Sequence, residues 1–144
     1  MPAGRSELGV TVLDGLIYAV GGDVDPITST TLVEVYDPLG DTWDIAASLP
    51  ITRTRMAIAA RDHRLYVFGG SESFSGSPEN TSFIYDPLAD SWSEITPMPT
   101  ALFACRAAVV GGMIYVIGGY DGAVISNLNE AFGFHLNMLP LVSK

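Results

Sequence analysis

An all-β fold of about three stacked copies of one four-stranded antiparallel sheet is what this sequence predicts, on three observations. A glycine doublet closes a short apolar run at Gly21-Gly22, Gly69-Gly70 and Gly118-Gly119, after LIYAV, RLYVF and MIYVI, with spacings of 48 and 49 residues. Other positions keep that register: Tyr36-Asp37-Pro38 returns as Tyr85-Asp86-Pro87, Trp43 as Trp92, Leu49-Pro50 as Met98-Pro99, and Pro2 with Arg5 as Pro50 with Arg53. The runs themselves are short, apolar and bounded by turn residues, the pattern of strands. A period near 50 residues held along the whole chain marks a repeat architecture.

The elements follow in order within each copy. Leu8 to Leu13 reads as an apolar strand, Asp14-Gly15 as a tight turn whose central residues need positive φ, and Leu16 to Val20 as the returning strand. The turn is Asp62-His63 in the second copy and Gly111-Gly112 in the third. A loop follows each doublet, then a third strand from Thr31 or Thr81. Asp-Pro ends that strand because proline has no N–H for a ladder, and a polar turn leads to a fourth strand opening at Trp43 or Trp92. Such a sheet is one propeller blade, able to bury both faces only by stacking on neighbours. The first strand of a copy (AIAA, AAVV) is the smallest and is expected innermost, along the channel. Tyr and Trp supply apolar area between sheets, and the doublets permit backbone conformations or close approaches that a side chain would block.

Composition narrows the function classes. The apolar fraction is 48% and the charged fraction 16%, below the ~25% of an average chain and in keeping with a sheet-rich core. No apolar run reaches the ~20 residues of a membrane span, and MPAGRSELGV lacks the apolar stretch of a signal peptide. The single Cys105 sits in ACRAAVV and reads as a buried structural thiol. The expected location is cytoplasmic. Sixteen acids against seven bases leave a charge of −9, which argues against nucleic acid and membrane as partners. Arg53, Arg55, Arg61 and Arg64 form the one positive stretch.

The residues R-x(n)-IYxxGG, VEVYDP, the following Trp and MP together resemble the kelch repeat, and GGYDG followed by NLNEAF is similar to the wording of kelch-like adaptors. The resemblance runs from Met1 to about Phe134 and gives blades of about 1–49, 50–98 and 99–134, with a diverged tail over 135–144. It implies a β-propeller, usually six-bladed, that binds partner proteins. Many members carry the propeller behind a BTB domain and present substrates to a cullin-based ubiquitin ligase; others bind actin. Arg5, Gly21, Gly22, Tyr36 and Trp43 carry the motif in the first copy, Arg53, Gly69, Gly70, Tyr85 and Trp92 in the second, and Gly118 and Gly119 in the third.

The third copy departs from the pattern. Leu102 stands where the arginine is due, Phe132-Gly133-Phe134 replaces YDP, and Leu139 falls where Trp is expected. The tail HLNMLPLVSK does not read as a fourth strand, so the third blade is expected to be incomplete. Three blades cannot close a ring, since propellers have about four to eight. Three arrangements stay open: a piece of a longer protein, self-association that completes a propeller, and an open arc.

No catalytic constellation stands out, and no enzyme activity is expected. His63 and His135 have no metal-ligand spacing, Asp23 and Asp25 lack the other ligands of a calcium loop, and the doublets lead into loops instead of helices. No metal and no cofactor are expected. Kelch propellers also occur in a copper-dependent sugar oxidase and a sialic acid epimerase, but no Tyr, His and Cys set for copper is present. What remains is a recognition surface. The resemblance implies a binding face built from the loop after each doublet and the loop entering each inner strand. By position these are Glu7, Asp23 and Asp25; Arg55, Ser71, Glu72 and Ser73; and Ala104, Tyr120 and Asp121. Arg55, in TRTR, stands where some kelch adaptors place an arginine that grips an acidic peptide. Its planar fork of donors suits a carboxylate. Arg53 is expected to serve the fold, bridging backbone at the start of its blade.

Overall fold

The computed structural model describes residues 1–133 and 138–140. It is all-β. The first blade orders β1 (Gly9–Leu13), β2 (Leu16–Val20), β5 (Val33–Asp37) and β6 (Thr42–Ala46) into one antiparallel sheet. A small hairpin, β3 (Asp23–Asp25) with β4 (Thr28–Ser29), occupies the loop after the first doublet. The second blade joins β7 (Ala57–Arg61), β8 (Arg64–Phe68), β9 (Ser82–Asp86) and β10 (Ser91–Ile95) in the same order. The third joins β11 (Arg106–Val110), β12 (Met113–Ile117), β13 (Asn129–Phe132) and β14 (Met138–Pro140).

Residue choice explains the hairpins. Asp14 and Gly15, Asp62 and His63, and Gly111 and Gly112 all adopt positive φ, as the two-residue turns between the first and second strands require. The inner strands β1, β7 and β11 lie side by side, with β7 in the middle.

Alternation along each strand gives every blade two faces. Tyr18, Val20 and Val33 of the first blade pack on Leu65, Val67, Phe83 and Tyr85 of the second. On its other face the second blade offers Tyr66 and Phe68 to Ile114, Val116 and Phe132 of the third. Two cores therefore separate three sheets. Arg61 ties the second interface, donating to the carbonyls of Gly112 and Phe132. Cys105 is fully buried in that core, and burial pushes its thiol up to about 11, so it acts as a small apolar side chain.

The tail corrects the sequence reading at two points. Met138–Pro140 does pair antiparallel with β13, so the third blade has a fourth strand, three residues long against five in β6 and β10. Tyr36 faces Trp43 and Tyr85 faces Trp92 seven residues on, whereas Phe132 faces Met138, six residues on. The tryptophan position in the ladder thus falls to Met138 and not to Leu139. His135 lies outside the described residues.

The arginines differ by blade. Arg5 is buried against Glu34 at 2.9 Å and donates to the carbonyls of Leu32 and Ala19. Arg53 is also buried, but Phe83 stands where Glu34 stands in the first blade, and its Nη2 donates to Thr81 Oγ1 at 2.8 Å. It bridges to a hydroxyl and lies over the Phe83 ring, instead of bridging backbone. The third blade keeps the acid, Glu130, and lacks the arginine. Burial pushes the Glu130 carboxyl above its ordinary value, and among the described residues its Oε2 has no hydrogen-bond partner.

Candidate functional site

The rim at one end of the blades is assembled from equivalent positions. Glu7, Arg55 and Ala104 each precede an inner strand, and all three adopt left-handed backbone with φ of 53°, 54° and 56°. The Arg55 N–H donates to Glu7 O at 2.9 Å, and the Ala104 N–H donates to Arg55 O at 2.8 Å. These bonds stitch blade to blade around the mouth. Non-glycine residues in this conformation are uncommon and mark a geometry imposed by surroundings.

Arg55 sits at the centre of that row. Its guanidinium lies over the Phe103 ring at 4.1 Å and the Phe74 ring at 5.4 Å, an arrangement favoured by the ring quadrupoles. Nη2 donates to the carbonyls of Ser73 and Phe74, which fixes the fork. Nε is buried and makes no hydrogen bond among the described residues. Around it, Phe74, Ser75, Gly76, Ser77, Pro78, Phe103, Tyr120 and Gly122 line a cleft of about 320 Å³. Phe103 and Tyr120 pack together at 5.3 Å on its third-blade side.

The other expected rim residues divide into surface and interior. Glu7, Asp25, Glu72, Asp121 and Ala104 are exposed, while Ser73 and Tyr120 are half-buried. Asp25 and Asp121 accept backbone N–H groups of their own turns, which hold both carboxyls below the usual range. Asp23 and Ser71 are not surface groups, and the expectation that they meet a partner is corrected. Asp23 is buried, with Ser29 and the Thr54 hydroxyl bonded to its two oxygens. Ser71 is fully buried and donates to Ser73 O at 2.6 Å. Both follow a doublet whose backbone runs into the blade entrance, so their polar groups are satisfied inside. Phe74 and Phe103 were missed by the sequence reading. Their signal was weak, a phenylalanine in a polar loop and another just before an inner strand.

Among the described residues no group of three or more His, Cys, Asp or Glu is placed to hold a metal ion. His63 lies in an exposed turn with Nδ1 2.8 Å from Asp14 Oδ1. Among the described residues no helix is long and apolar enough to cross a membrane.

The kelch motif matches residues 4–50, 52–99 and 102–132. The chain belongs to the kelch-repeat family. Among curated proteins it is similar to Kelch-like protein 38 of Mus musculus, 32% identical over 72 residues, covering 50% of this chain and 12% of that protein. Kelch-like protein 35 of Homo sapiens is 38% identical over 68 residues, covering 47% and 12%. Beta-scruin of Limulus polyphemus is 34% identical over 70 residues, covering 49% and 8%. Each match thus spans about an eighth or less of the relative's own length. Among solved structures, that of YjhT superposes with a TM-score of 0.82 at 15% identity, covering 96% of this chain and 52% of that one. The fold is therefore that of kelch propeller blades. The YjhT match overturns the expectation that the chain is no enzyme. It shows the blades to be a scaffold shared across very different sequences, and such a scaffold does not decide whether the residues grafted on it catalyse or bind.

Proposed function

We propose that the chain is a protein-recognition module whose centre is the Arg55 cleft, of the kind kelch-like adaptors use in the cytoplasm to present partners to a cullin-based ubiquitin ligase. The observation that carries it is the fixed guanidinium, held over the Phe74 and Phe103 rings at the head of an aromatic cleft, with Nε unpartnered among the described residues. A planar donor held in place loses little freedom on binding, and aromatic walls with an arginine form the usual anchor of an interface. The ligand that fits is an extended segment with one or two carboxylates beside an apolar side chain. Glu7, Asp25, Glu72 and Asp121 are exposed, and a net charge of −9 disfavours a long acidic run.

The test is calorimetric titration with short peptides that place one Glu or Asp among apolar residues. Arg55→Ala and Arg55→Lys should each weaken the best binder about tenfold or more, the lysine because it keeps charge but loses the fork. Arg53→Ala should lower the melting temperature with only indirect loss of binding. Binding controlled by Arg53 and indifferent to Arg55 would sink the assignment. The kelch resemblance carries a second reading, a scaffold that joins proteins in a cytoskeletal assembly through the same rim.

A further inference from the structure

We propose that Ser77 is a phosphorylation site for a proline-directed serine kinase, and that the phosphate it gains pairs with Arg55 and closes the cleft. Exclusion of a carboxylate ligand rests on the recognition reading; the pairing of the phosphate with Arg55 does not.

The loop after the second doublet reads SESFSGSPEN from Ser71. Its first half is tied down: Ser71 is buried with its hydroxyl on Ser73 O, and the Gly76 N–H donates to the same carbonyl at 3.0 Å. The far end is held by the Glu79 N–H, which donates to Gly70 O at 2.9 Å. Between these anchors Ser77 is exposed, and among the described residues its own N–H and carbonyl make no backbone hydrogen bond. Pro78 presses the residue before it toward extended backbone, the form in which a peptide lies in a recognition groove. A kinase can therefore take this hydroxyl without breaking a strand ladder. Two hydroxyls of the chain precede a proline, Ser77 and Thr96, and both are exposed. Of the two, Ser77 alone lines the Arg55 cleft.

In the transfer, Ser77 Oγ attacks the γ-phosphorus of a nucleoside triphosphate held by the kinase. The new O–P bond forms as the bond to the β–γ bridging oxygen breaks, the hydroxyl proton passes to the kinase's carboxylate base, and nucleoside diphosphate leaves. The product carries a charge of about −1.5 to −2 near pH 7 and three acceptor oxygens. Arg55 is the one basic side chain lining the cleft, and its Nη2 already holds the carbonyls of Ser73 and Phe74 in the loop that carries Ser77. The rings of Phe74 and Phe103 keep the guanidinium in place, and Nε has no partner among the described residues. Glu72 and Glu79 of the same loop repel a phosphate, which leaves Arg55 as its partner. Arginine and phosphate form one of the strong charge-assisted pairs. Once made, the pair occupies the donors that a ligand carboxylate would use.

The experiment treats the folded 144-residue chain with a proline-directed kinase and ATP. Mass spectrometry should place the phosphate on Ser77. By phosphorus NMR that phosphate should titrate at a pH about 0.5 or more lower than in the free phosphopeptide SGSPEN, because a fixed opposite charge favours the dianion. Arg55→Ala should abolish the difference, and Arg55→Lys, which keeps the charge without the fork, should retain part of it. Affinity for a peptide with one Glu among apolar residues should fall about tenfold or more on phosphorylation, whereas kinase treatment of Ser77→Ala should leave that variant's affinity where it was. Phosphate on Thr96 and none on Ser77, or modification of Ser77 in the peptide and not in the folded chain, would overturn the site. A phosphate that titrates as in the free peptide, or alike in wild type and Arg55→Ala, would overturn the pairing. Equal peptide affinity before and after phosphorylation would overturn the closure. Unmodified chain that binds no such peptide would sink the recognition reading and the closure with it, and the phosphorus titration would still stand for or against the pairing.

Discussion

The middle blade and the end blades carry the same motif in different surroundings, and the comparison separates what a kelch position is from what it does. Trp92 packs in the core between the first two blades and donates its indole N–H to Ala47 O at 2.8 Å. Asp90 accepts the Ala47 N–H and the Tyr85 hydroxyl. Trp43 stacks on Tyr36 at 5.0 Å and, among the described residues, has no second blade against it. Likewise a Cβ on Gly69 would meet Leu102 O at 2.4 Å, whereas one on Gly118 would find nothing nearer than Ser126 O at 3.8 Å. The motif fixes the residue; a neighbouring blade gives it most of its energy. The burial that raises the Tyr85 hydroxyl far above its ordinary value is part of the same difference.

The largest effect expected from that difference is at the tryptophans. Trp92→Ala should cost about 3–4 kcal/mol and Trp43→Ala about 1 kcal/mol in denaturant melts of dilute chain, since a large aromatic truncation is expensive only where it leaves a cavity. Equal losses in dilute chain would mean that Trp43 is already covered.

A smaller contrast is expected at the doublets. Alanine at either site pays about 1 kcal/mol for left-handed backbone, and Gly69→Ala adds overpacking of about 1–3 kcal/mol against Leu102 O. Gly118→Ala should therefore melt measurably higher than Gly69→Ala. The reverse order would show that the third doublet is crowded in solution.

The smallest effect is in the pH dependence of the third blade. Burial raises the Glu130 carboxyl, so the folded state holds that proton longer than the unfolded state. Its contribution is fully present below the ordinary Glu value and is lost as pH rises through the raised one. Wild-type stability relative to Glu130→Gln should therefore fall across that window. A flat difference between wild type and Glu130→Gln would mean that Glu130 has found a cation.

Much of the scaffold was legible in the chain. The doublets, the Asp-Gly and Asp-His turns, the Tyr and Trp pairs and the buried cysteine all act locally or at a fixed period, and local rules write themselves into sequence. The site was legible only in part. Arg55 could be located by register, yet its partners Phe74 and Phe103 come from a loop and from the next blade, positions that no period ties together. Asp23 and Ser71 looked like surface groups because they follow a turn, and only the docking of the neighbouring strand shows them buried. The short β14 was hidden because a strand of three residues needs just a free edge, here β13, and no pattern of its own.

By itself the sequence determined the blade: period, strand order, turn geometry and the residues that fill the space between sheets are set by side-chain chemistry within about 50 residues. Tertiary structure decided which copies of that chemistry are used. Burial and hydrogen bonding across blades depend on whether a neighbour is present, and a repeat cannot encode its own neighbours.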